Sequence, residues 1–209
     1  GLSRSLRGLG LAYSNKGNFD EALIHHTQSL ANSKEIDDQY GMALSFHSIG
    51  AIYLFRGNYD QVLNYYNQSL SIRETIKDTL GIVRILSYIG RYYFYYNNVD
   101  SSLDYFNRSI DIKNNIGLKG SSLLYDSVFI NLINKKIGKK YDTEIIFKII
   151  KDKRRYWLNY HIYQLLEDTS YLATAYNQVQ EKAENLEPDV ASKFLSYPIP
   201  KAIVEEWEK

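Results

Sequence analysis

A chain of 209 residues with a formal net charge of +1 suits one domain or one short repeat array, and its near-neutral balance argues against a general nucleic-acid binder. The absence of cysteine removes disulfide scaffolds, thiolate metal sites and cysteine nucleophiles, and it fits a reducing compartment. A hydrophobic fraction of 44% excludes a disordered composition, and only three prolines favour long unbroken helices.

The chain opens on Gly1-Leu2-Ser3-Arg4, with charges but no apolar signal core behind them. The best apolar stretch, Ala43 to Phe55, is interrupted by Ser45, His47, Ser48 and Gly50, and is too short to span a bilayer. A cytoplasmic protein without a membrane span is expected. From here an internal period dominates. Gly10, Gly50 and Gly90 stand forty residues apart. The same spacing relates Leu9, Ile49 and Ile89; Tyr13, Tyr53 and Tyr93; Asp20, Asp60 and Asp100; and Ser29, Ser69 and Ser109. A fixed period of this size marks a stack of supersecondary units.

Each unit reads as two helices. In the second, Met42, Phe46, Ile49 and Tyr53 keep helical spacing, Arg56-Gly57-Asn58-Tyr59 breaks the helix, and Asp60 serves as N-cap or first-turn acid of the next. Leu63, Tyr66 and Leu70 line the buried face of that second helix, and Gly81, like Gly1 and Gly41, is read as the unit boundary. His26 takes the large core position of its helix.

These residues resemble the tetratricopeptide repeat. Its pattern stands here as Leu6, Leu9, Gly10, Tyr13, Ala22, His26 and Ser29, then as Phe46, Ile49, Gly50, Tyr53, Val62, Tyr66 and Ser69. A third copy runs Leu86, Ile89, Gly90, Tyr93, Ser102, Phe106 and Ser109. The proline that often ends the second helix is replaced by Lys34, Glu74 and Asn114, and the forty-residue period exceeds the usual 34, which implies a longer second helix. The expected fold is all-α, an α-solenoid of stacked antiparallel hairpins with a C-terminal helical cap. The expected division is three repeats over 1–117, a degenerate fourth hairpin over 118–154, and a fifth hairpin with the cap over 155–209.

Beyond 117 the register decays. Leu123, Leu124, Val128, Leu132 and Ile133 predict a helix over 120–137, and Asp142 to Arg154 its partner. Trp157–Leu166 and Tyr171–Leu186 read as the fifth hairpin, Pro188 opens a helix to 196, and Ile199–Trp207 is a last amphipathic piece. Glu184, Glu187, Glu205, Glu206 and Glu208 give this end an acidic, solvated face. At the other end Leu2, Leu6, Leu9 and Leu11 present apolar surface. It is read as the seam of a longer array, with self-association through that face as the rival reading.

No catalytic constellation, metal-ligand spacing or phosphate loop occurs, so no enzyme activity, metal or cofactor is expected. Nine basic residues between Lys135 and Arg155 against Asp142, Glu144 and Asp152 could meet an RNA backbone, but a solvated face is the preferred reading, and Tyr156, Trp157 and Tyr160 are read as core. What the resemblance implies is a concave groove lined by first-helix residues outside the signature. By position these include Arg7, Asn15, His47, Phe55, Arg84, Tyr88, Arg91 and Tyr95, the candidate peptide-binding residues. Arginines among aromatics suit an acidic peptide or protein segment. Arg7 and Arg84 match two basic positions of the co-chaperone carboxylate clamp, but Leu11, Ser48 and Tyr88 depart from it, so a chaperone tail is not expected. The leading expectation is therefore a protein-interaction scaffold. The alternative is a regulatory or oligomerisation arm of a larger signalling protein, such as a cyclase, kinase or ATPase.

Overall fold

The computed structural model describes residues 1–144 and 155–209, and contains helices and no strands over them. Six helices build the repeats: α1 (Leu2–Lys16), α2 (Phe19–Glu35), α3 (Gln39–Arg56), α4 (Tyr59–Thr75), α5 (Thr79–Tyr95) and α6 (Val99–Asn115). α7 (Ser121–Lys136) follows. After the segment outside the described residues come α8 (Tyr156–Leu166), α9 (Thr169–Glu184), α10 (Pro188–Ser196) and α11 (Pro198–Trp207). Consecutive helices pack on one another, as in a helical solenoid.

The turns explain where the helices stop. Gly17 and Gly57 adopt φ of 101° and 79°, the left-handed conformation that closes a helix C-terminus, and Asn97 does the same at 59°. Asn18 and Asn98 then cap α2 and α6 through their side chains, at 3.3 Å from the Glu21 N–H and 3.1 Å from the Ser101 N–H. Asp60 lies in the first turn of α4, behind Asn58 at the cap position. Between units the break falls earlier than Gly41 and Gly81. Asp37 and Lys77 take left-handed φ, and Asp38 and Asp78 cap α3 and α5 by accepting from the N–H groups of Gly41 and Gly81 at 2.9 Å. The two glycines thus belong to the first turn of a helix rather than to a boundary. A Cβ on Gly41 would press on the Asp38 carboxylate, and one on Gly81 on the Arg73 guanidinium and the Asp78 carboxylate, so a larger residue there makes these side chains shift.

The long period is shared by both helices, with 18 residues in α3 and 17 in α4, rather than carried by the second helix alone. With no proline at 34, 74 or 114, each second helix continues one residue further, to Glu35, Thr75 and Asn115.

Inside a unit one device recurs. A Cβ on Gly10, Gly50 or Gly90 would stand 2.7, 2.6 or 2.9 Å from the ring of His26, Tyr66 or Phe106, so each glycine is the seat of the large residue opposite. All three rings are fully buried. Ser29, Ser69 and Ser109 do more than let helices approach. Their hydroxyls donate to the carbonyls of Ser3, Ala43 and Val83 at 2.8, 2.8 and 3.2 Å, tying each second helix to the start of the first.

The C-terminal helices do not extend the stack outward. α8 is buried on every side from Tyr156 to Ile162 and packs on α7 and α9. Its Trp157 reaches Phe55 of α3 and Phe129 of α7, with ring centroids 6.3 and 6.4 Å apart, while His161 reaches Tyr95 of α5. An apolar helix lying along the inner ends of α3, α5 and α7 is what such all-round burial means. α10 and α11 cross back to the first two repeats. Phe194 and Tyr197 pack on Phe19, and a Cβ on Gly17 or Gly57 would meet Phe194 at 3.0 Å or Pro198 at 2.8 Å. Glu184, Glu187, Glu205 and Glu208 remain exposed.

Candidate functional site

Where the C-terminal helices face the repeats, they flank a half-open cavity of about 830 Å³. From the repeats, α1 contributes Leu11, Ser14 and Asn15, and α2 contributes Phe19 and His26. His47, Ser48, Ala51 and Phe55 of α3 share one helical face, and Tyr88 of α5 closes that wall. The opposite wall comes from Arg155, Tyr156 and Trp157 at the start of α8, from Gln178, Glu181, Lys182 and Asn185 at helical spacing on α9, and from Phe194 of α10. Neither half forms the cavity alone.

Arg91 lies behind this aromatic wall, only 3% exposed. Its guanidinium is 4.0 Å from the centroid of the Trp157 ring and 5.1, 5.3 and 5.7 Å from those of Tyr88, Phe55 and Phe129. Among the described residues no carboxylate pairs with it, and its Nε and Nη2 lack hydrogen-bond partners. A buried cation costs several kcal/mol of lost hydration, which the four aromatic faces offset in part at about 0.5–2 kcal/mol each. Tyr95 continues the same wall, its hydroxyl 2.9 Å from His161 Nε2, while His161 Nδ1 lies 2.8 Å from Gln164 Oε1.

The histidines of the cavity are neutral. Burial, followed by the charge of Arg7 and then His25, holds His26 down at about 4. Burial and then Arg73 hold His47 at about 3, and its ring meets Tyr88 edge-on at 4.4 Å. Lys182 is pushed below the ordinary lysine value, first by burial and then by the charge of Arg155. The Lys182 ammonium donates to the backbone carbonyl of Asn15, which joins α9 to α1. Nearby, Asp20 receives both Arg56 and Lys193, linking the first repeat, the second repeat and α10. Asp20 is held below the usual carboxylate range by these two cations, against the upward pull of its partial burial.

Of the residues expected to line a groove, the cavity brings together Asn15, His47, Phe55 and Tyr88. Arg7 lines a second cleft of about 540 Å³ with Leu2, Arg4, Ile36, Tyr40 and Leu44. Arg84 is exposed outside both. Arg91 and Tyr95 face the protein's own C-terminal unit rather than open space, because Trp157 and His161 cover them. Sequence reasoning missed the opposite wall. Tyr156, Trp157 and Tyr160 are buried, as the helical spacing suggested, but nothing local said which surface they bury against. In the basic run, Lys135 donates to the carbonyls of Gln164 and Leu165 and pairs with Glu167, where a cation answers the C-terminal end of α8. Lys136 bonds Asn97, and Arg155 faces the cavity. Lys148, Lys151, Lys153 and Arg154, and most of the helix expected over 142–154, lie outside the described residues.

Among the described residues no three of histidine, aspartate and glutamate gather as a metal site would require, and no helix is long and apolar enough to cross a membrane. No curated protein matches the chain. A family model described as tetratricopeptide repeat matches residues 1–75 and again 42–115.

Proposed function

The chain belongs to the tetratricopeptide repeat family, whose non-catalytic repeats mediate protein–protein interaction, and from that premise we propose that it holds a segment of another protein in the cavity between the repeats and the C-terminal helices. The carrying observation is the composite cavity itself. A volume of about 830 Å³ falls within the range of about 300–1,000 Å³ typical of ligand sites, and aromatic faces with a few polar groups supply its walls. α8 already lies along the inner face where a partner helix would sit, so the segment admitted is short and extended. Lys16, Arg155 and Lys182 line the cavity against Glu181 alone, which favours an acidic segment with apolar anchors. We propose no catalytic step.

The test is a peptide-display selection on the purified protein, repeated on Ala51→Trp, which fills the room between the walls. Enriched peptides that lose binding to the variant place the ligand in the cavity. Selection of the same peptides by both proteins would sink this reading. A second reading, an assembly arm, rests on the cleft at Leu2, Ile36 and Tyr40, whose side chains are 61%, 62% and 52% exposed. Sedimentation of the wild type and of Ile36→Glu/Tyr40→Glu separates it: a shared monomeric profile removes self-association.

A further inference from the structure

Two cations, Arg155 and Lys182, line the C-terminal wall of the cavity, where Glu181 is the single acid among the lining residues. Arg155 precedes the first turn of α8, and Lys182 lies on the cavity-facing side of α9. Both line the same wall of the cavity, and burial, then the charge of Arg155, holds the Lys182 ammonium below the ordinary lysine value, with Glu181 acting the other way. Among the described residues neither makes an ion pair. Lys182 has a backbone carbonyl, that of Asn15, as its hydrogen-bond acceptor. Glu181, the acidic side chain among the lining residues, is exposed and makes no ion pair among the described residues. Two like charges thus share one cavity wall, Lys182 half-buried and Arg155 exposed at its rim, with no ion pair to either among the described residues. Such a site is completed by an anion that arrives from outside. Beyond it, Phe55, Tyr88 and Trp157 offer apolar faces backed by the buried charge of Arg91.

Resting on the reading that the cavity holds a protein segment, we infer that Arg155 and Lys182 are its charge-reading pair, seating a carboxylate of the occupant while Phe55, Tyr88 and Trp157 take the apolar group beside it. Selectivity then resides in the C-terminal unit and not in the repeats, although the repeats carry the recognisable pattern. A carboxylate suits this pair because it accepts from both cations at once, from the forked guanidinium and from the ammonium. The carboxylate is an aspartate or glutamate side chain or a free chain terminus, and the two sources are separable.

The experiment uses the full chain. Peptides enriched by display on the wild type are synthesised as free acids and as C-terminal amides, and their affinities are measured by fluorescence anisotropy against wild type, Arg155→Gln, Lys182→Met and Ala51→Trp. We expect the winners to carry a carboxylate and to bind Arg155→Gln or Lys182→Met about ten- to a hundredfold more weakly. Amidation abolishes binding if the chain terminus is the group read, and Asp→Asn or Glu→Gln in the peptide does so if a side chain is. Thermal melting is the structural control. Arg155→Gln removes an exposed charge that makes no ion pair among the described residues, so its Tm stays level while binding falls; Lys182→Met also loses the bond to the Asn15 carbonyl, so its affinity is read against its own Tm. Winners without an acid, equal affinity for wild type and both charge variants, or a Tm that falls in step with affinity would overturn the inference and leave the cavity reading standing. Displacement of the winning peptide by oligouridylate at physiological salt would reassign the pair to phosphate and overturn it as well. Winners insensitive to Ala51→Trp, or no winners at all, would remove the cavity reading and this inference with it.

Discussion

In the repeats, the two helices of each hairpin meet by the same local means: a glycine seats a buried ring, and a serine hydroxyl clasps a carbonyl at the start of the partner helix. In the C-terminal unit the partners are distant in sequence. Trp157 covers Arg91, His161 meets Tyr95, and Phe194 rests against Gly17. The first kind of contact can be copied by duplicating the unit. The second belongs to one place, and it makes the cavity. Regular packing here supplies a scaffold, and the irregular return of the chain supplies the room in which another molecule can be held.

The strongest way to break this comparison is to cut the C-terminal contact at its centre. Trp157→Ala should cost about 3–5 kcal/mol in urea denaturation, as much as Phe106→Ala within the repeats, because it opens a cavity and uncovers the Arg91 guanidinium. A loss below about 1 kcal/mol would mean that α8 rests on the repeats without contributing to their stability. Acid sharpens the same point. Burial, set against the Gln164 hydrogen bond and reinforced by Arg91, holds His161 at about 4 against an ordinary 6.5. Its folded value is depressed, so its contribution is complete above 6.5 and is lost as pH falls from 6.5 toward 4, on the order of 3 kcal/mol. His161→Gln should flatten that part of the stability–pH curve, measured by denaturation from pH 7.5 to 4.5, and leave the share due to His26 in the repeats.

Two smaller effects probe the regular side. Gly50→Ala places a methyl 2.6 Å from the Tyr66 ring and should destabilise by about 1–3 kcal/mol in urea denaturation. Restoration of most of that loss by Tyr66→Leu would tie the cost to this one contact. Ser29→Ala removes the bond to the Ser3 carbonyl and should cost about 1 kcal/mol in the same assay. No change for Ser29→Ala would reduce these serines to spacers.

The repeats were legible because their contacts are local. Gly10 and His26, or Gly50 and Tyr66, lie in one hairpin, and three copies at one spacing announce each other. Turn chemistry was legible at Gly17 and Gly57, where left-handed φ is needed, and less so at Gly41 and Gly81, which lie in a first helical turn against Asp38 and against Arg73 and Asp78. Half of the cavity was legible for the same reason, since Asn15, His47, Phe55 and Tyr88 follow from helical position. Arg91 looked like a groove residue because it keeps step with Arg84 along α5. What buries it is a tryptophan in a stretch without the repeat pattern, and no local signal pairs the two. Arg155 and Lys182 were hidden for a further reason: one was counted within a basic run, the other stands in a helix without the repeat pattern, and only the fold brings both to one cavity wall.

The return of α10 and α11 to the turns at Gly17 and Gly57 also fixes how many repeats this architecture tolerates. An open solenoid lengthens by duplication, because a new unit meets the same surface at either side. Here a fourth copy inserted between α4 and α5 would carry Trp157 away from Phe55 and Phe194 away from Phe19. Growth by copying, the usual route by which repeat proteins diversify, is therefore closed between the first repeat and α11, and variation is directed to the side chains of the cavity walls.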